Sequence, residues 1–292
     1  MINIDHIKEF QKVFLWLTSR PLFLGGLVVV LAVCIIAVIA PLIAPYDPIK
    51  IDLPNRLQPP SSAHLLGTDH LGRDLLSRLL YGTRVSMLVG VIIALMSAVV
   101  GGSLGLVAGF FGRMVDNILM RLCDMFFAFP PLILAMAIAA SLGPSLQNTM
   151  LALVIVWWPR YARLARSQVL VLRELDYVQA AKAAGAGQVR IIMRHVFPNA
   201  LSPVLIQTTL DVGQAILMAA SLGFLGFGAQ PPTPEWGLMA SEGRVYMREF
   251  WWYPTFPSLM ILLTVLGFNL LGDGLRDVLD PRQRGRFIKI RV

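Results

Sequence analysis

Charged residues are scarce in this sequence, and their scarcity argues against a soluble protein. Only 14% of its 292 residues are charged, whereas 56% are hydrophobic; a soluble domain carries roughly 25% charged residues. A surface with so little charge would expose large apolar patches and aggregate in water. Cysteine is rare as well: Cys34 and Cys123 are the only two and form no CxxC motif, so a disulfide is not expected. The composition indicates lipid as the solvent for much of the chain.

Long stretches without Asp, Glu, Lys or Arg predict where the chain crosses the membrane. Three of them have the length of one span, about 20 apolar helical residues. A fourth stretch of this kind, 199–229, contains a single charge, Asp211. A fifth stretch, 125–159, is too long for one span, and Gly143-Pro144-Ser145 interrupts it, which predicts a hairpin of two spans. We therefore predict an all-α membrane protein with six transmembrane helices. They are placed at 22–44, 85–110, 117–142, 147–170, 199–229 and 250–272.

Lysine and arginine are unequally distributed among the connecting segments, and this predicts the orientation. With the N-terminal segment 1–21 placed inside, the inner segments carry 18 of the 25 Lys and Arg residues and the outer ones carry 7. Because cytoplasmic loops are enriched in these residues, both termini are predicted to be cytoplasmic. The run at 22–44 is too long for a signal peptide, whose apolar part is about 7–15 residues. The net charge of +8 then reflects this bias and does not indicate nucleic acid. The basic tail is predicted to lie near anionic lipid; its cations are Arg282, Arg284, Arg286, Lys289 and Arg291.

The first external segment, 45–84, is predicted to have two parts. It opens with five prolines and so begins as irregular structure. Leucines then recur at helical spacing within 66–84, where Asp74 and Arg78 can pair at i,i+4. The pattern predicts a short amphipathic helix that lies on the outer face of the membrane.

The inner loop 160–198 is the longest and most basic of the cytoplasmic segments. Its composition predicts a helix from Tyr177 to Ala184, an interruption at Gly185-Ala186-Gly187, and a second helix from Gln188 to Phe197, ahead of Pro198. An alanine-rich face of this kind needs a protein partner to cover it. A helix that merely rests on lipid is the alternative.

A G-x-S-x-G motif inside the second predicted span invites comparison with a serine hydrolase. Ser103 would need a histidine base within hydrogen-bond distance, but all four histidines fall in predicted loops or tails: His6, His64, His70 and His195. Gly101, Gly105 and Gly109 recur at i,i+4 instead, which favours a stripe for close helix packing. Replacing Ser103 with alanine separates the two interpretations, since only a hydrolase would lose its activity.

Metal and nucleotide sites are also weakly supported. His64 and His70 could bind a metal from the outside, but no third ligand stands at a useful spacing, so a solvated loop role is favoured. None of the five lysines follows a glycine, and a phosphate-binding P-loop requires that order. We therefore expect no metal, no catalytic residue and no cofactor on this chain.

Asp211 is the one charge deep inside a predicted span. A carboxylate at that depth is costly and by default indicates a transport route or a partner. One interpretation makes Asp211, Gln207 and Gln214 line a route for a solute. The other is a structural hydrogen bond from Gln207 or Gln214 on the same helix. Nearer the cytoplasmic end, Arg121 and Asp124 are predicted to form a local i,i+3 pair.

The loop 160–198 resembles the EAA loop, E-A-A-x-x-x-G followed after nine residues by I-x-L-P, of the permease subunits of binding-protein-dependent ABC importers. Gln179 stands where glutamate is usual, and His195 and Phe197 replace the apolar residues of that pattern. Three further segments resemble the DppC/OppC type of dipeptide and oligopeptide permease: LGTDHLGRDLLSRLLYGTRVS, GFLGFGAQPPTPEWG and FNLLGDGLRDVLDPR. The resemblance extends from about Pro45 to Arg282.

This resemblance implies a type I importer (MetI-like) permease fold in the bacterial inner membrane, with 85–292 as the core permease domain. It also implies that 171–198 is the coupling loop, whose first helix docks in a groove on an ATPase. The implied coupling residues are Gln179, Ala180, Ala181, Lys182, Gly185, Arg190, Arg194 and Pro198.

The partners implied by the resemblance are a second permease of DppB/OppB type, two ATPase subunits of DppD/DppF type and an external substrate-binding protein. ATP and Mg would then be bound by the ATPase subunits. Peptides are the implied substrate, and nickel chelates, glutathione or another small solute remain alternatives within the same class. A stand-alone secondary transporter and an intramembrane enzyme are the alternatives outside it.

Overall fold

The computed structural model describes residues 21–279, and over that range it consists of helices and irregular connections without a β-strand. Residues 1–20 of the predicted N-terminal segment 1–21 and the basic tail beyond 279 lie outside the described residues. A 3₁₀ turn (Leu53–Asn55) and a π-helical turn (Ile192–Val196) accompany the α-helices. In chain order the latter are α1 (Pro21–Ile43), α2 (Leu75–Phe111), α3 (Arg113–Phe127), α4 (Pro131–Leu142), α5 (Leu146–Leu172), α6 (Asp176–Ala183), α7 (Gln188–Ile191), α8 (Phe197–Phe224), α9 (Trp236–Arg244) and α10 (Trp252–Leu279).

Four helices are long and apolar enough to cross a membrane. They are α1, α2, the continuous helix Gln188–Phe224 and Trp252–Arg276 within α10, and the bent pair of α3 and α4 could supply a fifth. The prediction of an all-helical, multi-pass membrane protein is therefore confirmed, whereas the count of six stays a prediction. The fourth predicted span corresponds to α5, which has the length but carries three arginines along its second half: Arg160, Arg163 and Arg166.

The third predicted span, 117–142, is wrong as a single helix. The chain bends by 91° between α3 and α4, at a break that includes Pro130 and precedes Pro131. Proline cannot donate the backbone hydrogen bond that would continue α3, and it disfavours helical geometry in the residue before it. The predicted turn near Gly143 is confirmed, because Gly143 ends α4 with a φ of +90° and the Ser145 hydroxyl accepts from the backbone N–H of Asn148 at 3.1 Å.

The predicted interfacial helix within 66–84 is also wrong. Residues 66–74 are not helical, and a single helix of 37 residues, α2, begins at Leu75 and replaces both that helix and the second predicted span. The Asp74 carboxylate sets this start because it accepts from the backbone N–H of Ser77 at 2.8 Å, a typical N-cap bond. Asp74 is therefore not the partner of Arg78, and the predicted i,i+4 pair does not form.

Helix α2 is the centre of the bundle and packs along α5 and α8, while α1 packs on α10. The glycine stripe accounts for the contact with α5. A Cβ atom at Gly101 would lie 2.7 Å from Tyr161 Cβ, and one at Gly105 would lie 2.9 Å from Ala162 Cα. Gly101 and Gly105 thus let the two backbones meet, which confirms the packing role. Ser103 is exposed on another side of α2.

Candidate functional site

The loop between α5 and α8 is built around a glycine elbow. Gly185 follows the end of α6 with a φ of +79°. Its N–H donates to the Lys182 carbonyl, and the N–H of Ala186 donates to the Ala181 carbonyl, both at 3.0 Å. These are the two bonds of a Schellman motif, in which the residue at the position of Gly185 must be left-handed. The predicted pair of helices with an elbow is confirmed, with α6 at Asp176–Ala183 and α7 beginning at Gln188.

A small apolar cluster fixes this elbow to the ends of two longer helices. Val178 of α6, Ile191 of α7 and Val196 of the π-helical turn are fully buried or nearly so. They pack together with Val169 near the end of α5 and Ala200 near the start of α8. A displacement of α6 would therefore be carried into both long helices.

The solvent-exposed face of the elbow consists largely of the predicted coupling residues. Ala181 is half-buried, and the other seven are exposed: Gln179, Ala180, Lys182, Gly185, Arg190, Arg194 and Pro198. Three of them are cationic and could meet acidic groups on a partner. Large apolar side chains are exposed beside them, including Val189 and Met193, which are 74% and 59% exposed. Val189 and Met193 were not among the predicted coupling residues. Their i,i+4 spacing on the helix that begins at Gln188 would have placed them on one face.

Gln179, at the position where the EAA pattern has glutamate, has a local role in this chain. Its side-chain Nε2 donates to the backbone carbonyl of Arg173 at 2.9 Å. That carbonyl lies just past the end of α5 and lacks a partner within the helix. A glutamate carboxylate could not donate this bond, so the amide suits the position.

The predicted end of the loop before Pro198 is wrong, because the helix continues from Gln188 to Phe224. The Phe197 N–H donates to the Ile192 carbonyl, an i to i+5 bond that widens the helix into a π turn. Pro198 follows at the second position of α8, and because it has no N–H, one backbone hydrogen bond is missing at this point of the continuous helix. The π turn thus carries the helix from the loop into the membrane without a break.

A polar cluster lies near the midpoints of α5 and α8. The Asp211 side chain is 3% exposed, and its Oδ1 atom accepts from Gln207 Nε2 at 2.9 Å and from Arg160 Nη1 at 3.0 Å. Of the two glutamines considered for this hydrogen bond, Gln207 makes it, and Gln214 is exposed. Arg160 was not predicted as a partner of Asp211, because it stood at the edge of an uncharged stretch and was assigned to the loop.

Two further arginines of α5 reach carboxylates on α3. Arg166 forms a two-pronged pair with Asp116, in which Nη2 lies 2.6 Å from Oδ2. Arg163 pairs with Asp124 and also lies 4.3 Å above the ring of Phe127. Asp124 therefore pairs across helices, and the predicted local pair with Arg121 is wrong. Arg160, Arg163 and Arg166 thus form a ladder of three ion pairs along α5. Their spacing of three residues was the sequence signal for this ladder.

On the predicted outer side, a buried ionic network joins the first external segment to α9 and α10. The Arg73 side chain binds Asp69 at 2.5 Å and Glu242 at 3.3 Å, and Arg78 lies 3.4 Å from Asp69 and 3.5 Å from Glu242. Tyr253 donates its hydroxyl to Glu242 at 3.1 Å. Four charged side chains from α2, α9 and the external segment thus neutralise one another.

The histidines of the external segment take part in separate contacts. His64 Nδ1 lies 2.9 Å from Asp74 Oδ1, and His70 Nδ1 lies 2.8 Å from the Tyr253 hydroxyl. Asp69, His70 and Glu242 do bring three possible ligand atoms within 4.8 Å of one another. Two guanidinium groups already bind those carboxylates, which favours an ionic network over a metal centre.

Glu235 fixes α9 against α2. Its carboxylate accepts from the backbone N–H groups of Gly237 at 2.9 Å and Leu238 at 2.8 Å, and from the Ser86 hydroxyl at 3.2 Å. Burial raises the pKa of the Glu235 carboxyl, and these three hydrogen bonds oppose the rise. The cap holds α9 against the N-terminal third of α2.

Replacing Arg78 with methionine is expected to destabilise the permease by about 3–5 kcal/mol, because Asp69 and Glu242 would then share one arginine in a buried site. The effect should appear as a lower thermal unfolding midpoint of the purified protein in detergent. Arg84→Met is the matched control, since Arg84 is exposed on the same helix. Equal shifts for the two variants would contradict a structural role for the network.

Comparison with known proteins agrees with this architecture. Residues 101–285 match a family model described as a binding-protein-dependent transport system inner membrane component. Residues 10–60 match a model of the N-terminal transmembrane domain of oligopeptide transport permease C.

Individual relatives match over nearly the whole chain. The probable D,D-dipeptide transport system permease protein DdpC of Escherichia coli K12 is 48% identical over 94% of this chain and 92% of its own length. The dipeptide transport system permease protein DppC of the same strain is 52% identical over 88% of each chain. The DppC protein of Alkalihalophilus pseudofirmus is 45% identical over 95% of this chain and 91% of its own length.

Proposed function

Because this chain belongs to the family of binding-protein-dependent transport system inner membrane components, a family of multi-pass inner membrane proteins, we propose that it is the permease subunit of an ABC importer for di- or oligopeptides. The peptide substrate is carried over from the names of its relatives. The subunit would form half of the transmembrane route, together with a second permease of DppB/OppB type.

The observation that carries this proposal is the exposed elbow between α5 and α8. The elbow offers a small, alanine-rich face on α6 and three exposed cations along α6, α7 and the π-helical turn, which suits a groove on a soluble partner. The apolar cluster beneath the elbow links it to the bundle. We propose that α6 is the coupling helix and that Lys182, Arg190 and Arg194 meet acidic residues of an ATPase subunit. The energy for transport would then come from the partner, where ATP and Mg are bound, and this chain would not be an enzyme.

The proposed mechanism is alternating access. ATP would close the two ATPase subunits of DppD/DppF type, the coupling helices would move with them, and the spans would rock around a central route. An external binding protein would deliver the peptide. In this arrangement α3 with α4 and α5 complete six spans, both termini are cytoplasmic, and Asp211, Gln207 and Gln214 of α8 line the route.

Reconstitution of the complete importer tests this function. The chain, its partner permease, the ATPase subunits and the binding protein are combined in proteoliposomes, and uptake of radiolabelled peptides of two to five residues is measured with and without ATP. We expect uptake only with ATP and only with all components. Uptake by this chain alone would show a secondary transporter instead, and uptake of a nickel chelate or glutathione in place of peptides would correct the substrate.

A further inference from the structure

Arg160 places a partly exposed guanidinium on α5, the helix that corresponds to the fourth predicted span. It stands near the midpoint of α5 and pairs with Asp211 near the midpoint of α8, yet 50% of its side chain is exposed, against 3% for Asp211. A charged group near the middle of a span is tolerated where it faces the interior of a bundle or a water-filled cavity, and not where it faces lipid chains. The exposed half of Arg160 therefore faces a hydrated route or another protein surface.

The polar surface around Arg160 extends along α8. Gln207 is half-buried, Gln214 is exposed, and both lie within one turn of Asp211, so the three side chains follow one another along the helix. Arg160 joins this strip from the neighbouring helix. Two amides beside one cation suit a surface that faces water or a polar solute, and not one that faces lipid chains.

The geometry of the pair leaves donors available on Arg160. Its Nη1 atom contacts Asp211 Oδ1, and a guanidinium has five N–H donors in a planar fork. Asp211 thus orients the group, and within residues 21–279 the rest of the fork has no other ion-pair or hydrogen-bond partner. The other two arginines of this ladder differ: Arg166 is held by both oxygens of Asp116, and Arg163 lies between Asp124 and the Phe127 ring.

We propose that Arg160 binds the carboxylate of the peptide during its passage, and that Asp211 is the positioning residue that holds the guanidinium toward the route. This inference rests on the proposed function, because it takes a peptide as the cargo. The planar fork of arginine matches a carboxylate with two parallel hydrogen bonds, and this contact would select solutes that carry a carboxylate at the required position.

The test uses the complete importer in proteoliposomes with dialanine as the probe and its binding protein in excess. Arg160→Gln is expected to lower uptake per ATP hydrolysed by about tenfold, the effect of losing one charge-assisted contact. Arg160→Lys should lose less, because the ammonium keeps the charge but not the fork. Arg163→Gln is the matched control, since Arg163 has a similar exposure of 46% one turn along the same helix, and its uptake should stay within about twofold of the native value.

A purely structural ion pair predicts a different pattern. In that case Asp211→Asn and Arg160→Gln would lower uptake and thermal stability to the same extent, which would overturn the proposal. If Arg160 binds cargo, Asp211→Asn retains the guanidinium but loses the carboxylate that orients it, so its uptake falls clearly less than that of Arg160→Gln.

Accessibility supplies an independent measurement. In a variant that lacks Cys34 and Cys123, Arg160→Cys should react with a cationic thiosulfonate reagent, and the restored positive charge should recover part of the uptake. An anionic reagent should not restore it. Absence of any reaction in the assembled importer would show that another subunit encloses this side chain, and the proposal would fall.

Different uptake results would contradict the peptide function and the role of Arg160. If the native importer takes up no dialanine or longer peptide, the proposed function is wrong. If the native importer and the Arg160→Gln variant take up dialanine equally well, the peptide function stands and the role of Arg160 is wrong.

Discussion

Replacing Gly185 with tryptophan is expected to reduce ATP-driven uptake to the level of empty liposomes while the permease still inserts and folds. In the structure, a Cβ atom at Gly185 would have no neighbour within 4 Å. The added ring thus disturbs little within this chain, apart from the strain of a left-handed residue with a side chain, about 1–2 kcal/mol. A loss of transport would therefore indicate a clash with the ATPase groove that α6 is proposed to occupy.

Gly143→Trp is the matched control for this substitution. Gly143 has a φ of +90°, and a Cβ atom added there would likewise have no neighbour within 4 Å. Its φ of +90° with a ψ of 154° is a conformation essentially restricted to glycine, so tryptophan there suffers at least as much local strain. Gly143 lies in the turn between α4 and α5, away from the elbow. Gly185→Asn is the second control, because asparagine tolerates the left-handed conformation and adds little bulk. We expect both controls to transport and to co-purify with the ATPase subunits.

The measurements are peptide uptake, ATPase activity and recovery of the ATPase subunits with the tagged permease. The coupling proposal expects Gly185→Trp to lose uptake together with co-purification or with stimulated ATPase activity. Normal transport by Gly185→Trp would show that α6 does not dock on a partner at this face. Equal loss in Gly185→Trp and Gly143→Trp would attribute the effect to backbone strain.

Features that depend on neighbouring residues were predictable from the sequence. Uncharged stretches located the long helices, because a bilayer demands about 20 apolar residues in a row. The elbow could be read from Gly185 because the Schellman motif is closed by backbone groups of the same segment. The glycine stripe was readable for a similar reason, since positions i and i+4 always share a helix face.

Features that depend on distant residues were not predictable in this way. Arg160 and Asp211 are far apart along the chain, and only the packing of α5 on α8 brings them together. The start of α2 was misplaced because the leucine spacing of 66–84 is helical, while the buried network around Asp69 holds residues 66–74 in an irregular conformation. The bend between α3 and α4 was missed although Pro130 and Pro131 signal it, because the uncharged stretch 125–159 was divided only at Gly143-Pro144-Ser145.

Replacing Gly101 with alanine is expected to prevent stable packing of α2 on α5. The added methyl group would lie 2.7 Å from Tyr161 Cβ and 3.0 Å from the Ala162 backbone nitrogen, and closer still to the Trp158 carbonyl. Backbone atoms of a packed helix cannot move aside as the end of a flexible side chain can. The two helices must separate, at a cost of about 3 kcal/mol, the upper end of the usual range for overpacking.

The adjacent glycine isolates this effect from helix propensity. A methyl group at Gly102 would have Val204 Cγ1 at 3.9 Å as its nearest neighbour, an ordinary van der Waals contact. Glycine to alanine inside a helix is otherwise favourable by about 1 kcal/mol, so Gly102→Ala should be neutral or stabilising, and Ser103→Ala should be neutral. The thermal unfolding midpoint in detergent and the yield of folded permease measure all three. If Gly101→Ala and Gly102→Ala unfold at the same temperature, the seam does not hold α2 to α5. If Gly101→Ala alone is unstable, the role of the G-x-S-x-G sequence is close packing of the two helix backbones. Only the side of α2 that carries Gly101 faces α5, so only a methyl group on that side disturbs the contact.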